Sequence, residues 1–594
     1  MRSTNPARRG VRSALALLAA LAIAGSSGVA LGAAPDLDDL VPPATLGLDE
    51  IAPGAAATAK TVLSGTKIVE LPVEIVSVVR NIGPEQDMIL ARGLGEIERL
   101  GVPQGMSGSP VYIDGQLIGA VSSTWSFARE PLMGITPVRQ MAREAAWGSS
   151  RVATGFGDLL GDAVPETPRP SGPGPIRTPL AFSGFDRRLV DLAAGLFDPW
   201  GFAVAEGGSG GHGQAGGAIE AGATIGVQLA GGDASIVSFG TVTWVDGEFV
   251  HGWGHPMFQI GAAEMPLVSA YIHTVVPNQF LSFKIGSGGE VVGTLIADHR
   301  SGIFGRLGPG PRTTAFDLKV LRDGAAEAFH FDLARNKFLA PSLVGITALN
   351  GLLAHGGVVG EETVRFTQKL VLDDGRETTV ETLFAGDQNL RDVTGLLAEA
   401  ARVIIGNPFE EVQLDRIEGE IGLESGIRMA TLTGLSIEDD RPEPGGVVRG
   451  WYTLRDWRGG ESRRAFAIPL PENAREGRYL LLAADATTAE MYEAERDPRA
   501  FAPRSLDELL ARIERLRRTD EVHLHLYRQS QGVLIHGRPL ADLPPSALSV
   551  MGGAARSGIE DRLPAELVHE ARVAVDRFVQ GGHTILFEVQ EDGP

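Results

Sequence analysis

Short apolar runs separated by turn residues dominate this chain. Residues 67–80 (KIVELPVEIVSVVR) are rich in Val and Ile and alternate in places, which is typical of strands. The runs 225–229 and 240–244 have the same character, and Asp-Gly turns separate short strands across 313–385. The pattern predicts a mainly β, turn-rich protein.

Helical periodicity is confined to a few segments. Apolar residues fall on one helix face over 390–404, and Gly406 and Pro408 terminate that helix. A charged amphipathic helix is predicted over 505–518, where Ser and Glu at the first and fourth positions form a capping box. Further short helices are predicted at 136–146, 189–196 and 563–579.

Composition narrows the class of protein. The 594 residues include 77 Gly and 36 Pro, an excess that fits many turns, and 43% hydrophobic residues, enough for substantial cores. The net charge of −21 argues against a nucleic-acid-binding surface. The absence of Cys excludes disulfides, thiolate metal sites and a Cys nucleophile.

The N-terminus has the pattern of a secretory signal. Four Arg residues within 2–12 precede an apolar stretch at 14–25, and small residues at 30–34 offer cleavage sites. No later run reaches 18 apolar residues. We therefore expect a protein exported to the bacterial envelope, periplasmic or extracellular, with no stable membrane span after signal cleavage.

The chain divides by composition into eight predicted segments. They are a signal peptide (1–33), a linker (34–62), a first half-domain (63–150), a Pro/Gly-rich linker (151–217), a second half-domain (218–345), a helical connector (346–425), a β-sandwich-like module (426–495) and an α+β C-terminal unit (496–594).

The most specific motif is Gly-Met-Ser-Gly-Ser-Pro at 105–110. It runs into two apolar segments joined by Asp114 and Gly115, the dipeptide that a type I′ hairpin turn prefers. A Ser flanked by Gly before a hairpin is how double-barrel serine proteases present their nucleophile. The backbone N–H groups of Gly105 and Ser107 can converge there on an oxyanion.

This motif resembles the SpoIVB peptidase family, the S55 serine peptidases. The resemblance implies that Ser107 is the nucleophile and that Ser109 is a structural hydroxyl. The fold class it favours is a mainly β, chymotrypsin-like double β-barrel, followed by the sandwich-like module and the small α+β unit.

A Ser nucleophile needs a general base, and the chain has no His before residue 212. In that family a Gly-Thr-Leu-Thr strand is followed by a turn and then by a Gly-x-Gly-His sequence, whose last residue is the His. Gly-Thr-Val-Thr at 240–243 and Gly-Trp-Gly-His at 252–255 resemble this arrangement, as does Gly-Ile-Phe-Gly at 302–305 further on. The resemblance implies that His255 is the base, with His251 as the rival. Because family members place the His first, the domain looks circularly permuted.

The sequence does not identify the residue that orients the base. The family acid lies some fifteen positions before its Ser, where this chain has Arg92. Asp87, Glu96 and Glu98 are nearby candidates, and a dyad without an acid is the other possibility.

Three functions compete at this point. The first is a serine endopeptidase acting on protein or peptide substrates of the cell envelope. The second is a catalytically inactive envelope binding or scaffold protein that retains the fold. The third is an esterase, although the Gly-x-Ser-x-Gly elbow is missing. No cofactor or metal site is predicted, since His523 and His525 share a strand face without a third ligand.

Overall fold

The computed structural model describes residues 41–590 apart from 43, 126, 146–173, 209–215, 279–281, 323, 355–360, 387–388, 498–500, 536–537, 541–542, 545 and 547–558. The predicted signal peptide lies outside this part. The described chain forms two compact units. We call residues 41–316 with 330–350 the barrel unit, and residues 317–329 with 351–590 the C-terminal unit.

The first barrel of the barrel unit is a closed antiparallel sheet. Its strands are β1 (Ala56–Val62), β2 (Ile68–Gly83), β3 (Gln86–Gly93), β4 (Pro110–Ile113), β5 (Gln116–Thr124) and β6 (Leu132–Pro137). They pair in the order β4-β1-β2-β3-β6-β5, and β5 pairs with β4 to close the ring. Asp114 and Gly115 both have positive φ, +49° and +79°, as the predicted hairpin turn requires. The predicted linker 34–62 therefore ends in a barrel strand, because Ala57, Ala59 and Val62 are buried.

The second barrel closes in the same way. Its strands are β10 (Thr224–Gly232), β11 (Ser235–Asp246), β12 (Phe249–Gly252), β13 (Gly261–Val276), β14 (Phe283–His299) and β15 (Gly302–Leu307). The order is β10-β13-β14-β15-β12-β11, with β11 pairing back to β10. The predicted mainly β fold with a double barrel is confirmed.

Three strands and three helices complete this part of the unit. They are α1 (Glu96–Leu100), α2 (Val138–Ala145), β7 (Gly174–Pro175), β8 (Thr178–Ser183), α3 (Arg187–Phe197) and β9 (Phe202–Glu206). The predicted linker 151–217 thus contains ordered structure. Its apolar residues explain the difference, since Leu180 and Phe182 are buried on β8 and Phe197 packs from α3 against Phe182.

β16 (Thr313–Arg322), β17 (Ala325–Ala334) and α4 (Ala340–Ala354) follow in sequence. The C-terminal unit contains an antiparallel ladder of β18 (Glu362–Leu372), β19 (Glu377–Gly386) and β20 (Leu414–Ser425). Helix α5 (Asn389–Ile405) lies between β19 and β20 in sequence, as its apolar periodicity predicts.

Two further sheets of the C-terminal unit share one hydrophobic core. The first contains β21 (Met429–Ile437), β22 (Val447–Asp456), β23 (Glu461–Pro469) and β28 (Phe578–Gln580). The second contains β24 (Gly477–Ala484), β25 (Glu521–Ile535), β26 (Arg538–Leu540), β27 (Ile559–Ala574) and β29 (Gly582–Val589). Helices α6 (Ala486–Arg496) and α7 (Leu506–Glu514) lie between β24 and β25 in sequence.

In this unit one prediction from local sequence is confirmed and another is overridden by strand pairing. Ser505 caps α7 by accepting the N–H of Glu508 at 3.2 Å, as predicted, although the helix ends at Glu514 rather than at Arg518. The predicted helix at 563–579 is wrong, because β27 covers most of it and pairs along β25. No helix among the described residues is long and apolar enough to cross a membrane.

Candidate active site

Ser107 lies in the loop between α1 and β4 of the first barrel. Met106 anchors this loop, because its side chain is fully buried in the barrel core. Gly108 has a φ of +89°, and a Cβ there would lie 2.0 Å from Thr241 O and 2.3 Å from Trp253 N. Only glycine fits a position with both constraints. The Ser107 loop is thus pressed directly against the second barrel.

The Gly-Thr-Val-Thr segment holds this loop from the second barrel. Thr241 donates its N–H to Ser107 O at 2.8 Å and its hydroxyl to Gly105 O at 3.1 Å. Thr243 donates its hydroxyl to Gly108 O at 2.8 Å. Ser109 Oγ lies 3.5 Å from Thr241 Oγ1. The sequence motif pointed only to the His that follows it. In the structure, Thr241 and Thr243 of this segment also hold the Ser107 loop in place through hydrogen bonds to its backbone.

His255 follows β12 in a tight turn. Trp253 and Gly254 both have positive φ, +69° and +68°, and Trp253 is completely buried. Thr136 donates its hydroxyl to Gly254 O at 2.7 Å. A positive φ at a buried Trp is unfavourable, which is a common feature of functional turns.

The Ser107 and His255 segments meet at one carbonyl of β5. Gly108 donates its N–H to Val121 O at 2.8 Å. A Cβ built on Gly254 would lie 3.2 Å from the same Val121 O. The structure therefore brings together the two segments that the sequence paired, although His255 follows Ser107 in the chain.

One side-chain atom of each segment is buried and unpaired. Ser107 Oγ and His255 Nε2 have no hydrogen-bond partner among the described residues, and neither bonds the other. A buried polar atom without a partner keeps an unused hydrogen-bonding capacity, which suits a functional position but does not by itself define one. A hydroxyl and an imidazole nitrogen that are both without partners are the two groups that a Ser/His pair requires.

The tautomer of His255 follows from its other nitrogen. Nδ1 lies 2.7 Å from Pro256 O, and a carbonyl only accepts hydrogen bonds, so Nδ1 carries the proton. Nε2 then holds a lone pair. Burial lowers the pKa of His255 to about 4, while the bond to Pro256 acts in the opposite direction. His255 is a neutral imidazole with its basic nitrogen free.

The predicted acids do not contact His255. Asp87 accepts hydrogen bonds from Arg80 and from the N–H of Asn81. Glu96 is exposed and pairs with Arg99, and Glu98 is exposed. Arg92, at the family's acid position, pairs with Glu74 and Glu130 at 3.2 and 2.8 Å. Among the described residues, Pro256 O is the one hydrogen-bond partner of the His255 ring.

Asp298 is the acidic residue that sequence reasoning missed. Its carboxylate is completely buried at the end of β14 and accepts the N–H groups of Met257 at 2.8 Å and Phe258 at 2.7 Å. It therefore fixes the turn that begins at His255. Burial raises the pKa of Asp298 to about 6 against these bonds. An Asp ahead of Gly-Ile-Phe-Gly carries no local signal that marks it for this role.

The two backbone donors predicted for an oxyanion have no backbone acceptor. Within the described residues, Met106, Gly108 and Ser109 donate their N–H groups to carbonyls, whereas Gly105 and Ser107 donate to none. Both of these residues are buried.

Lys284 is a second unforeseen group beside the loop. It is buried, donates to Thr61 Oγ1 at 2.8 Å, and packs its stem where a Cβ of Gly105 would lie 3.2 Å away. Burial lowers the pKa of Lys284 to about 7. It links β14 to β1 behind the Gly105 backbone.

His251 has the features of a core residue. It is buried and stacks on Trp244 with ring centroids 3.7 Å apart and an interplanar angle of 11°. Burial lowers its pKa to about 3. His523 and His525 belong to the C-terminal unit, and His212 lies outside the described residues. No group of three His, Cys, Asp or Glu side chains in the described part is arranged to hold a metal.

Neither protein-family models nor curated protein sequences give a match to this chain. The resemblance to the S55 peptidases therefore rests on the motifs around Ser107 and His255, and membership in that family stays a prediction.

Proposed function

We propose that this protein is an exported serine endopeptidase of the S55 type that acts on cell-envelope proteins. Ser107 is the nucleophile and His255 is the general base. One observation carries the proposal: two buried, unpaired polar atoms, Ser107 Oγ and His255 Nε2, lie on segments that both contact Val121 O.

The reaction is acyl transfer in two halves. Ser107 Oγ attacks the scissile carbonyl while His255 Nε2 takes its proton, and the N–H groups of Gly105 and Ser107 stabilise the oxyanion. His255 then protonates the leaving amine. Water, activated by the same nitrogen, releases the acyl group and restores Ser107.

Two groups do the work of an orienting acid. Pro256 O holds the proton on Nδ1, which leaves Nε2 as the base. Asp298 acts as a positioning residue by binding the backbone of the following turn. A carbonyl stabilises an imidazolium less than a carboxylate does, so we expect slow turnover relative to a complete triad.

Covalent labelling with a fluorophosphonate probe tests the nucleophile. We expect the mature protein to be labelled on Ser107, identified by mass spectrometry of the modified peptide. Ser107→Ala should abolish labelling, and Ser109→Ala, two residues away and equally buried, should retain it. Labelling that survives Ser107→Ala would exclude this nucleophile.

Cleavage of unfolded model proteins then distinguishes a peptidase from an esterase. An endopeptidase produces internal fragments that depend on Ser107. Hydrolysis of p-nitrophenyl esters without any peptide cleavage would favour the esterase.

The second candidate is an inactive binding or scaffold protein. One observation favours it: Nδ1 of His255 faces a carbonyl and not a carboxylate, and Nε2 does not bond Ser107. This candidate predicts no labelling of the wild-type protein under any folded condition.

A further inference from the structure

One strand of this chain lies against the edge of β5 beside the Ser107 loop. Ser123 pairs antiparallel with Pro175, and Thr124 pairs with Gly174. Ile176 then donates its N–H to Ser122 O at 2.9 Å. Three consecutive residues, 174–176, thus extend the sheet by one short strand, in the manner of a peptide added to a sheet edge.

The edge of β5 that binds residues 174–176 continues directly into the part of β5 that binds the Ser107 loop. On the same side of β5, Val121 accepts from Gly108 and donates its N–H to Ser109 O at 3.0 Å. Ser122, the next residue along β5, is the one that receives Ile176. A peptide on residues 122–124 therefore abuts the Ser107 loop, and the antiparallel direction points its C-terminal end toward that loop.

The chain continues past the loop after Ile176. Pro179 is next to Gly105, because a Cβ on Gly105 would lie 3.3 Å from the Pro179 ring. The peptide bond that follows Ile176 therefore lies on the part of the path that leads from the β5 edge to the Gly105 backbone. A substrate would present its scissile bond along this path.

The Ile176 side chain is anchored in the core of the first barrel. It is 1% exposed and belongs to the same hydrophobic cluster as Val102 and Met106, which precede Ser107 in the segment between α1 and β4. Pro175 has no N–H to offer, which suits an edge strand.

The residues that follow the Ile176–Arg177 peptide bond are also held by contacts. Thr178 donates its N–H to Gly201 O at 3.1 Å, and β8 pairs with β11 and β9. Arg177 pairs with Asp198. Displacement of residues 174–176 therefore breaks the contacts with β5 but can leave the pairing of β8 in place.

We propose that residues 174–176 are a built-in occupant of the substrate-binding edge, and that the substrates replacing them are extended peptides with a branched apolar residue at the Ile176 position. This proposal rests on the proposed peptidase function. The described structure is then the self-inhibited form, and a substrate gains access by displacing the occupant strand.

The rate of fluorophosphonate labelling measures occupancy of the edge. Ile176→Ala removes the buried side chain that anchors the strand, so the open population and the labelling rate should rise at least about tenfold. Ile89→Ala is the matched control, since Ile89 is as deeply buried in the same barrel core but lies on β3. Equal acceleration in both variants would mean general loosening of the barrel and would overturn the proposal.

Peptide binding tests the same edge without catalysis. A fluorescent peptide of sequence Gly-Pro-Gly-Pro-Ile-Arg-Thr should bind the Ser107→Ala, Ile176→Ala double variant, as measured by anisotropy. The same peptide with Asp in place of Ile should not. Failure of the Ile peptide to bind would overturn the proposal.

The two measurements separate this inference from the proposed function. Peptide binding without labelling of any Ser107-containing protein would reject the peptidase and keep the peptide-binding edge. Ser107-dependent labelling with equal rates in wild type and Ile176→Ala, and no peptide binding, would keep the peptidase and reject the occupant.

Discussion

Two regions of this chain bury a histidine, and they use it differently. At the barrel junction, His255 has Nδ1 bonded to Pro256 O and Nε2 bonded to nothing in the described residues. In the C-terminal unit, His525 has Nδ1 2.7 Å from the Tyr527 hydroxyl and Nε2 3.4 Å from Arg517 Nη2. Burial lowers the pKa of both to about 4.

The difference is that both ring nitrogens of His525 have a partner, whereas only Nδ1 of His255 has one. The Tyr527 hydroxyl accepts from His525 and donates to Glu493 at 2.6 Å, so the His525 ring is part of a continuous network. His255 Nε2 instead has no hydrogen-bond partner among the described residues, and neither has Ser107 Oγ. A low imidazole pKa therefore does not by itself mark a catalytic site, because burial alone lowers the pKa of a His held in a structural network as well.

The largest expected effect is the loss of the base. His255→Gln should slow labelling of Ser107 by about 10²–10⁴-fold, because an amide cannot take the hydroxyl proton. His251→Gln is the matched control from the same segment and should change the rate by less than about tenfold. Equal losses in both variants would place the base elsewhere.

Removal of Asp298 should have an intermediate effect. Asp298→Asn turns one oxygen into a donor that faces backbone N–H groups, which displaces the His255 turn, and the labelling rate should fall by about 10²-fold. Glu144→Gln is the control, because Glu144 is an equally buried carboxylate that caps Ser301 N at 2.7 Å. An unchanged rate in Asp298→Asn would remove Asp298 from the site.

His525 should matter for stability and not for labelling. His525→Ala removes a buried ring and its contacts with the Tyr527 hydroxyl and Arg517, and the free energy of unfolding of the C-terminal unit should fall by about 3 kcal/mol. Urea unfolding followed by circular dichroism measures this, with His569→Ala on β27 as the control. A reduced labelling rate in folded His525→Ala would contradict the assigned division of roles.

The smallest effect is the pH dependence. Because burial lowers the pKa of His255 from 6.5 to about 4, the folded protein keeps the imidazole neutral down to that value. The stability linked to the neutral ring is present above pH 6.5 and is lost as pH falls through 4. In the Asp298→Asn variant, which lacks the titration of Asp298, the labelling rate should therefore change by less than about twofold between pH 7 and 5.5 and fall near pH 4.

Asp298 titrates inside this range, with a pKa raised to about 6. Its folded form keeps a proton that the unfolded chain loses near pH 3.8, so its contribution to stability declines as pH rises through 6. The Asp298→Asn variant removes this titration, so the pH dependence of its labelling rate reports on His255 alone. A labelling midpoint near pH 6.5 in that variant would show that His255 is not buried as described.

Local sequence determined the elements whose conformation depends on near neighbours. Asp114 and Gly115 adopt the left-handed φ values of the predicted hairpin turn, and Ser505 caps its helix. Helix α5 follows its apolar periodicity over residues 389–405. The Ser107 and His255 motifs were also found from sequence, because each depends on small residues at fixed short spacing.

Long-range pairing decided the rest. Strand β27 has good helix formers, but its pairing with β25 overrides that propensity. The clamp by Thr241, the turn held by Asp298, and the placement of Ile176 on β5 join residues more than forty positions apart. Sequence by itself therefore determined which residues are chemically suited to act, and only the tertiary structure decided which of them meet, since no local signal encodes a contact between residues so far apart in the chain.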